Sequence, residues 1–161
     1  LYQGRARSMV LALKHGDRSD IARPAAKWLA QAGRDLIGPQ TLIAPIPLHW
    51  SRLVKRRYNQ SALLSHALAN ELGAAHCPDL LVRTRQTKPL EGHTHAERFA
   101  ALDQAIKVHP RRRHRLAGRP VVLVDDVMTS GATLGAATEA CLASGANDVC
   151  VLVLARVAKD A

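Results

Sequence analysis

Apolar residues recur along this chain in two patterns, short unbroken runs and wider stripes at helical spacing. Residues 5–15 carry Met9, Val10, Leu11 and Leu13 ahead of Gly16, which predicts a short helix with a glycine stop. Ser19 or Asp20 caps a second predicted helix, with Ile21, Ala25, Trp28, Leu29 and Ala32 on one face. Gly33 closes it, and Gly38-Pro39 marks a loop. Residues 41–46 are the first predicted strand, followed by the basic stretch Arg52-Leu53-Val54-Lys55-Arg56-Arg57. Residues 59–72 predict a strong helix, with Leu64, Leu68 and Leu72 in one stripe beside Leu63 and Ala67, ended by Gly73.

The second half alternates in the same way. Residues 80–82 read as a strand, 86–95 as a loop holding Pro89 and Gly92, 96–105 as a helix and 106–108 as a short strand. Arg111-Arg112-Arg113-His114-Arg115 reads as a charged turn ending at Gly118. Residues 121–124 are an apolar strand, 132–144 a helix stopped by Gly145, and 148–154 a last strand. Strands alternating with helices predict an α/β layer fold with a mostly parallel sheet. One domain over residues 1–161 is the simplest organisation, with residues 1–38 as a helical appendage.

Composition narrows the classes. Apolar residues make up 47% and charged residues 22%, which supports a sizeable core and excludes disorder, collagen and coiled coil. The net charge of +10 calls for a polyanionic partner or serves solubility. Nucleic acid, a phosphorylated metabolite and a membrane surface are the candidates. Aromatics at 3% count against single-strand binders that stack bases. Cys77, Cys141 and Cys150 are odd in number and form no CxxC pair, so neither a disulfide framework nor a zinc site is expected from them. No apolar run approaches bilayer-spanning length, so membrane insertion is not expected and a reducing, cytoplasmic setting is.

The chemistry concentrates in residues 121–134, Val-Val-Leu-Val-Asp-Asp-Val-Met-Thr-Ser-Gly-Ala-Thr-Leu. An apolar run of this kind suits a strand buried on both faces. Asp125 and Asp126 follow at its carboxyl end, the end that borders the ligand crevice in open α/β sheets. A Thr-Ser-Gly-x-Thr turn then opens a helix, where hydroxyls and free amides favour a phosphate. Carboxylates accept from a sugar diol while such a turn donates to a phosphate, so a ribose 5-phosphate satisfies both. A Walker B-like magnesium site is the competing reading, but no GxxxxGK[ST] loop accompanies it. Plain strand, turn and helix cap is the other, with Thr129 or Ser130 capping.

The same segment resembles the phosphoribosyl-pyrophosphate (PRPP) signature of type I phosphoribosyltransferases at every position. Pro45-Ile46-Pro47-Leu48, Arg52, Arg56-Arg57-Tyr58-Asn59-Gln60, Lys14-His15-Gly16, Leu81-Val82-Arg83 with Arg85 and Thr87, Glu97-Arg98 and Leu154-Ala155-Arg156 further resemble the ComF family. Arg57 stands where that family usually has Gly, Leu90 where it often has Gln, and Ala101 where it often has Asn. The resemblance implies a three-layer α/β/α sandwich, its central sheet parallel but for one antiparallel strand. It also implies a hood over the site, placed in residues 1–38, and a cysteine-rich zinc ribbon upstream of a chain that starts without Met.

By the same resemblance, Asp125 and Asp126 hold the ribose 2′- and 3′-hydroxyls. Thr129, Ser130, Gly131, Ala132 and Thr133 hold the 5′-phosphate. Arg52, Lys55, Arg56 and Arg57 face the pyrophosphate, and Arg85, Thr87, Lys88 and Arg98 belong to a flexible loop that closes over the substrates. The implied activity is Mg²⁺-dependent transfer of ribose 5-phosphate from PRPP to a nitrogen acceptor, with Mg²⁺ arriving bound to PRPP. The alternatives are a competence accessory for DNA uptake and a PRPP-responsive regulator without catalysis. DNA would meet the Arg52–Arg57 and Arg111–Arg115 patches. His93 and His95, with Glu91 and Glu97 nearby, read as a surface loop before a zinc site.

Overall fold

Val121, Val122, Leu123 and Val124 are buried on both faces, and the strand that carries them organises the rest. A computed structural model of the chain describes residues 21–48, 58–84 and 105–157. Its central strand, β5 (Pro120–Met128), has two parallel neighbours. β1 (Leu42–Pro45) covers only its first half, from Leu42 opposite Val121 to Pro45 opposite Val124. β6 (Asp148–Arg156) runs along all of it, from Asp148 opposite Pro120 to Arg156 opposite Met128. β2 (Ala75–His76) flanks β1, giving the parallel order β2-β1-β5-β6. β3 (Leu81–Arg83) and β4 (Ile106–Val108) form a separate antiparallel pair.

Helices cover both faces of the sheet, which makes the three-layer α/β sandwich that the resemblance implies. On one face lie α1 (Ala22–Gly33) and α2 (Gln60–Leu72), packing Ala25, Ala26, Leu29, Leu64 and Leu68 against Ile43, Val122, Val124 and Leu152. On the other lies α4 (Ala132–Ala143), whose Leu134, Ala137 and Cys141 meet Leu42, Ala44, Val121 and Leu123. Asn59 caps α2 by accepting from the Ser61 amide, so the helix begins one residue later than the apolar stripe suggests. Gly73, at φ 62°, ends it in the left-handed conformation that only glycine adopts without strain. Of the hood expected from residues 1–38, the described part is α1 and the turn after it, and α1 packs on the sheet layer.

Several boundaries move. The strand expected at 121–124 continues to Met128 because β6 keeps supplying ladder partners after β1 has ended. β6 likewise extends to Arg156. The inner face of α1 is Ala22, Ala25, Ala26, Leu29, Ala30 and Gly33, so Trp28, placed inward by its spacing, is 51% exposed. Alanines allow α1 to lie close to α2, and a Cβ on Gly33 would come within 2.5 Å of Leu152 Cδ1. The arginine turn is a 3-10 segment (Pro110–Arg112) leading into the one-turn helix α3 (Arg113–Leu116), pinned by buried Leu116. The helices expected at 5–15 and over most of 96–105, and the loop holding His93 and His95, lie outside the described residues. No described helix is long and apolar enough to cross a membrane.

Leu68 is fully buried between α2, α1 and the sheet. Leu68→Ala is expected to lower the unfolding free energy by about 2–5 kcal/mol, the usual cost of such a cavity, in urea denaturation followed by circular dichroism.

Candidate functional site

The unequal lengths of β1 and β5 create the site. The Ile46 amide makes the last bond across that seam, donating to the Val124 carbonyl at 2.9 Å. The next residue of β5 is Asp125. The Val124 carbonyl faces β1, whereas the Met128 carbonyl faces β6 and accepts from the Val157 amide at 3.0 Å, so the backbone changes side at the acid pair and the Asp126 amide finds its acceptor in a side chain. Asp125 takes that role, its Oδ1 accepting from the Asp126 amide at 2.9 Å. The same oxygen accepts from the Ser61 hydroxyl at 2.7 Å. Asp126 Oδ1 in turn accepts from the Val127 amide at 2.8 Å.

Ser61 reaches Asp125 because Asn59 positions it. Asn59 donates through Nδ2 to the Ile46 carbonyl at 3.0 Å and accepts the Ser61 amide through Oδ1 at 3.1 Å. The end of β1, the first turn of α2 and the acid pair are thereby joined through side chains. Gln60, 2% exposed, holds its side-chain nitrogen buried without an acceptor among the described residues. Burial holds the Asp125 carboxyl far above the usual carboxylate range, to about 7, and the neighbouring Asp126 charge adds to the effect. The Ser61 hydrogen bond works in the opposite direction.

Residues 129–131 form the turn between β5 and α4. Gly131, at φ 79°, takes the left-handed conformation at the helix N-cap, where a side chain would be strained. The first helical bond runs from the Gly135 amide to the Gly131 carbonyl at 2.8 Å. Among the described residues, the Ser130, Gly131 and Thr133 amides have no acceptor, and Ala132 has only Ser130 Oγ at 3.5 Å. Thr129 is exposed and Ser130, Gly131 and Thr133 half-exposed, so donors face outward beside the acid pair, while Ala132 is buried and packs inward. A concentration of free amides at a helix start, reinforced by the helix dipole, is chemically suited to an anion.

The structure therefore brings together Asp125, Asp126, Thr129, Ser130, Gly131, Ala132 and Thr133 at the carboxyl end of β5. Arg52, Lys55, Arg56 and Arg57 lie outside the described residues, as do Arg85, Thr87, Lys88 and Arg98. Sequence reading did not single out Ser61 for this site. A serine in the first turn of a helix reads as local capping, and nothing local ties it to an acid at the far end of another strand. The arginine turn is placed at the opposite, amino-terminal end of β5. There Arg112 pairs with Asp79 at 2.7 Å, which holds Asp79 below the usual carboxylate range, and Arg119 donates to the Gln40 carbonyl at 2.8 Å. Arg111 and Arg113 remain exposed.

Residues 59–161 match the family model for the phosphoribosyl transferase domain. The chain is similar to Competence protein F of Haemophilus influenzae, with 32% identity over 142 residues, or 84% of this chain and 61% of that protein. It is similar to DNA utilization protein YhgH of Salmonella typhimurium, with 34% identity over 154 residues, or 92% of this chain and 66% of that protein. The chain thus spans less than two thirds of either relative. Among solved structures, glutamine PRPP amidotransferase from B. subtilis shares the fold at a TM-score of 0.57 and 17% identity, over 90% of this chain and 30% of that one. Adenine phosphoribosyltransferase does so at 0.53 and 14%, over 86% and 69%. The resemblance read from the motifs, to phosphoribosyltransferases and to ComF, is borne out.

The raised Asp125 carboxyl gives stability a pH dependence of definite sign. The folded state binds this proton more tightly than the unfolded chain, whose ordinary value is 3.8. The resulting stabilisation is complete below that value and is lost as pH rises through about 7. Thermal melts of the ligand-free protein from pH 4 to 8 are expected to show this loss, and Asp125→Asn to flatten it. Equal slopes in the two proteins would show that Asp125 is not the titrating group.

Proposed function

The chain belongs to the phosphoribosyl transferase domain family, and from that we propose that it binds PRPP and transfers its ribose 5-phosphate to a nitrogen acceptor, releasing pyrophosphate. The observation that carries this reading is an acid pair on the uncovered half of β5, directly followed by a turn of free amides. Asp125 and Asp126 accept from the ribose 2′- and 3′-hydroxyls, and residues 129–133 donate to the 5′-phosphate. Ser61 keeps one Asp125 oxygen occupied and so fixes which lone pairs face the sugar. Arg52, Lys55, Arg56, Arg57, Arg85, Thr87, Lys88 and Arg98 are assigned to the pyrophosphate by the ComF-like motifs alone.

Among the described residues no group of three or more His, Cys, Asp or Glu side chains is placed to hold a metal ion. The cation is therefore one held by the ligand's own oxygens, as Mg²⁺ commonly is, with the acid pair left to the ribose. When bound, Mg²⁺ supplies neutralisation of the departing pyrophosphate. Isothermal calorimetry with PRPP and Mg²⁺ is expected to show binding. Asp125→Asn combined with Asp126→Asn should weaken it by about 3–6 kcal/mol, the usual worth of two charged hydrogen bonds, with a cooperative melt still showing a folded protein. Unchanged affinity in the double variant would overturn the assignment. Pyrophosphate release across a panel of nucleobases and amines then separates an enzyme from a PRPP-responsive regulator.

A second reading concerns DNA and rests on the arginine turn. Arg111 and Arg113 are exposed at the opposite end of β5 from the acids, so a polyanion there would not compete for the PRPP site. Relatives named for competence and DNA utilization are consistent with this reading. Binding through such a surface is sequence-blind and weakens steeply with salt. Arg111→Ala with Arg113→Ala is expected to reduce the salt slope of duplex binding by about one for each phosphate no longer neutralised. No binding at low salt would remove this reading for the domain.

A further inference from the structure

The first turn of α2 holds a polar group that the site as described does not use. Gln60 is 2% exposed, and its Nε2 is buried with no hydrogen-bond partner among the described residues. Its neighbours in the chain are both engaged. Asn59 bonds the Ile46 carbonyl and the Ser61 amide, and Ser61 bonds the Asp125 carboxyl. A buried donor left unpaired costs free energy that an apolar side chain of the same shape avoids. Packing alone would therefore favour a residue such as Met at this position, and the amide points to an acceptor from outside the chain.

The fold places this donor. α2 leads from β1 to β2, which lies parallel to β1, so the helix runs against the strand direction. Gln60 precedes Leu64 by one helical turn and shares its side of α2. Leu64 and Leu68 pack on the sheet with Val122 and Val124. One turn beyond Leu64, about 5.4 Å along the axis, passes Val124, the last β5 residue that β1 covers. Gln60 thus stands at the level of the acid pair, as the bond of 2.7 Å from the adjacent Ser61 to Asp125 also requires.

We infer that Gln60 is a further ligand-binding residue of this site, its side-chain amide donating to a pyrophosphate oxygen of PRPP; the inference rests on the PRPP reading. α2 and α4 lie on opposite faces of the sheet. Residues 129–133, which lead into α4, take the 5′-phosphate in that reading. The anomeric carbon is at the other end of the ribose, so the pyrophosphate it carries extends to the α2 side. Glutamine reaches it by rotation about its side-chain bonds. The covered rotamer leaves the donor unpaired, so departing from it sacrifices no hydrogen bond. The bond gained is to a charged oxygen and is correspondingly strong. A neutral amide also leaves the neighbouring acids to the ribose, where a lysine or arginine would pair with them.

Isothermal calorimetry of the full chain with Mg²⁺ tests this with two ligands, PRPP and ribose 5-phosphate, which lacks the pyrophosphate. Gln60→Met keeps the length of the side chain and removes the donor. It is expected to weaken PRPP binding about tenfold, the usual worth of one hydrogen bond to a charged group, and to leave ribose 5-phosphate binding unchanged. Its thermal melt should lie at or above that of the unaltered chain, because no unpaired donor remains buried. Unchanged PRPP affinity in Gln60→Met overturns the inference, while loss of binding in the double aspartate variant would still uphold the site. An equal loss for both ligands overturns it too, as does a melt well below that of the unaltered chain, since either makes Gln60 a structural residue. An unaltered chain that does not bind PRPP removes the PRPP reading and this inference with it.

Discussion

The difference in length between β1 and β5 is the constraint on which the rest of this molecule depends. Two parallel strands of equal length would have continued the ladder past Val124 and consumed the Asp126 amide. Because β1 stops at Pro45, the backbone donor at the strand end is satisfied by a side chain, and Asp125 is drawn into that role. A carboxyl held over a strand end is poorly hydrated, and a second acid beside it makes its charge less favourable still. The fold tolerates this arrangement because Ser61 donates to the same oxygen. The site is thus a local interruption of the sheet, held in place by the first turn of α2.

β6 has the opposite relation to β5. It pairs along the full length of the central strand, so it supports the half of β5 that β1 leaves open. The strand that carries the acids therefore depends on this neighbour beyond Pro45.

Charge is segregated along the same axis. The acids stand at the carboxyl end of β5, with the free amides of residues 129–133 beside them, and the arginine turn sits at the amino end. Of the arginines there, Arg112 is bound to Asp79 and Arg119 to the Gln40 carbonyl, and both serve to fasten the turn to its neighbours. The basic excess visible in composition is thus partly structural, and Arg111 and Arg113 are the exposed arginines of that turn, Arg113 also donating to the Ser144 carbonyl at 3.2 Å.

What the sequence determined by itself was local. A run of apolar residues, two acids and a Thr-Ser-Gly-x-Thr turn specify a buried strand leading into a helix through free amides, because each requirement is met within a few neighbouring residues. Gly73 ending α2 and Gly131 opening α4 were legible for the same reason, as positions where backbone conformation alone selects the residue. The tertiary structure decided everything that depends on residues distant along the chain. It set how far β5 runs, because ladder length belongs to the neighbouring strand. It turned Trp28 outward, because the alanines of α1 pack closer to α2 than a tryptophan allows. It placed Ser61 on Asp125, through a hydrogen bond between two elements whose approach no local pattern encodes. Side-chain type and spacing could name the acids, but only the packing of α2 against the end of β1 could supply the donor that holds one of them.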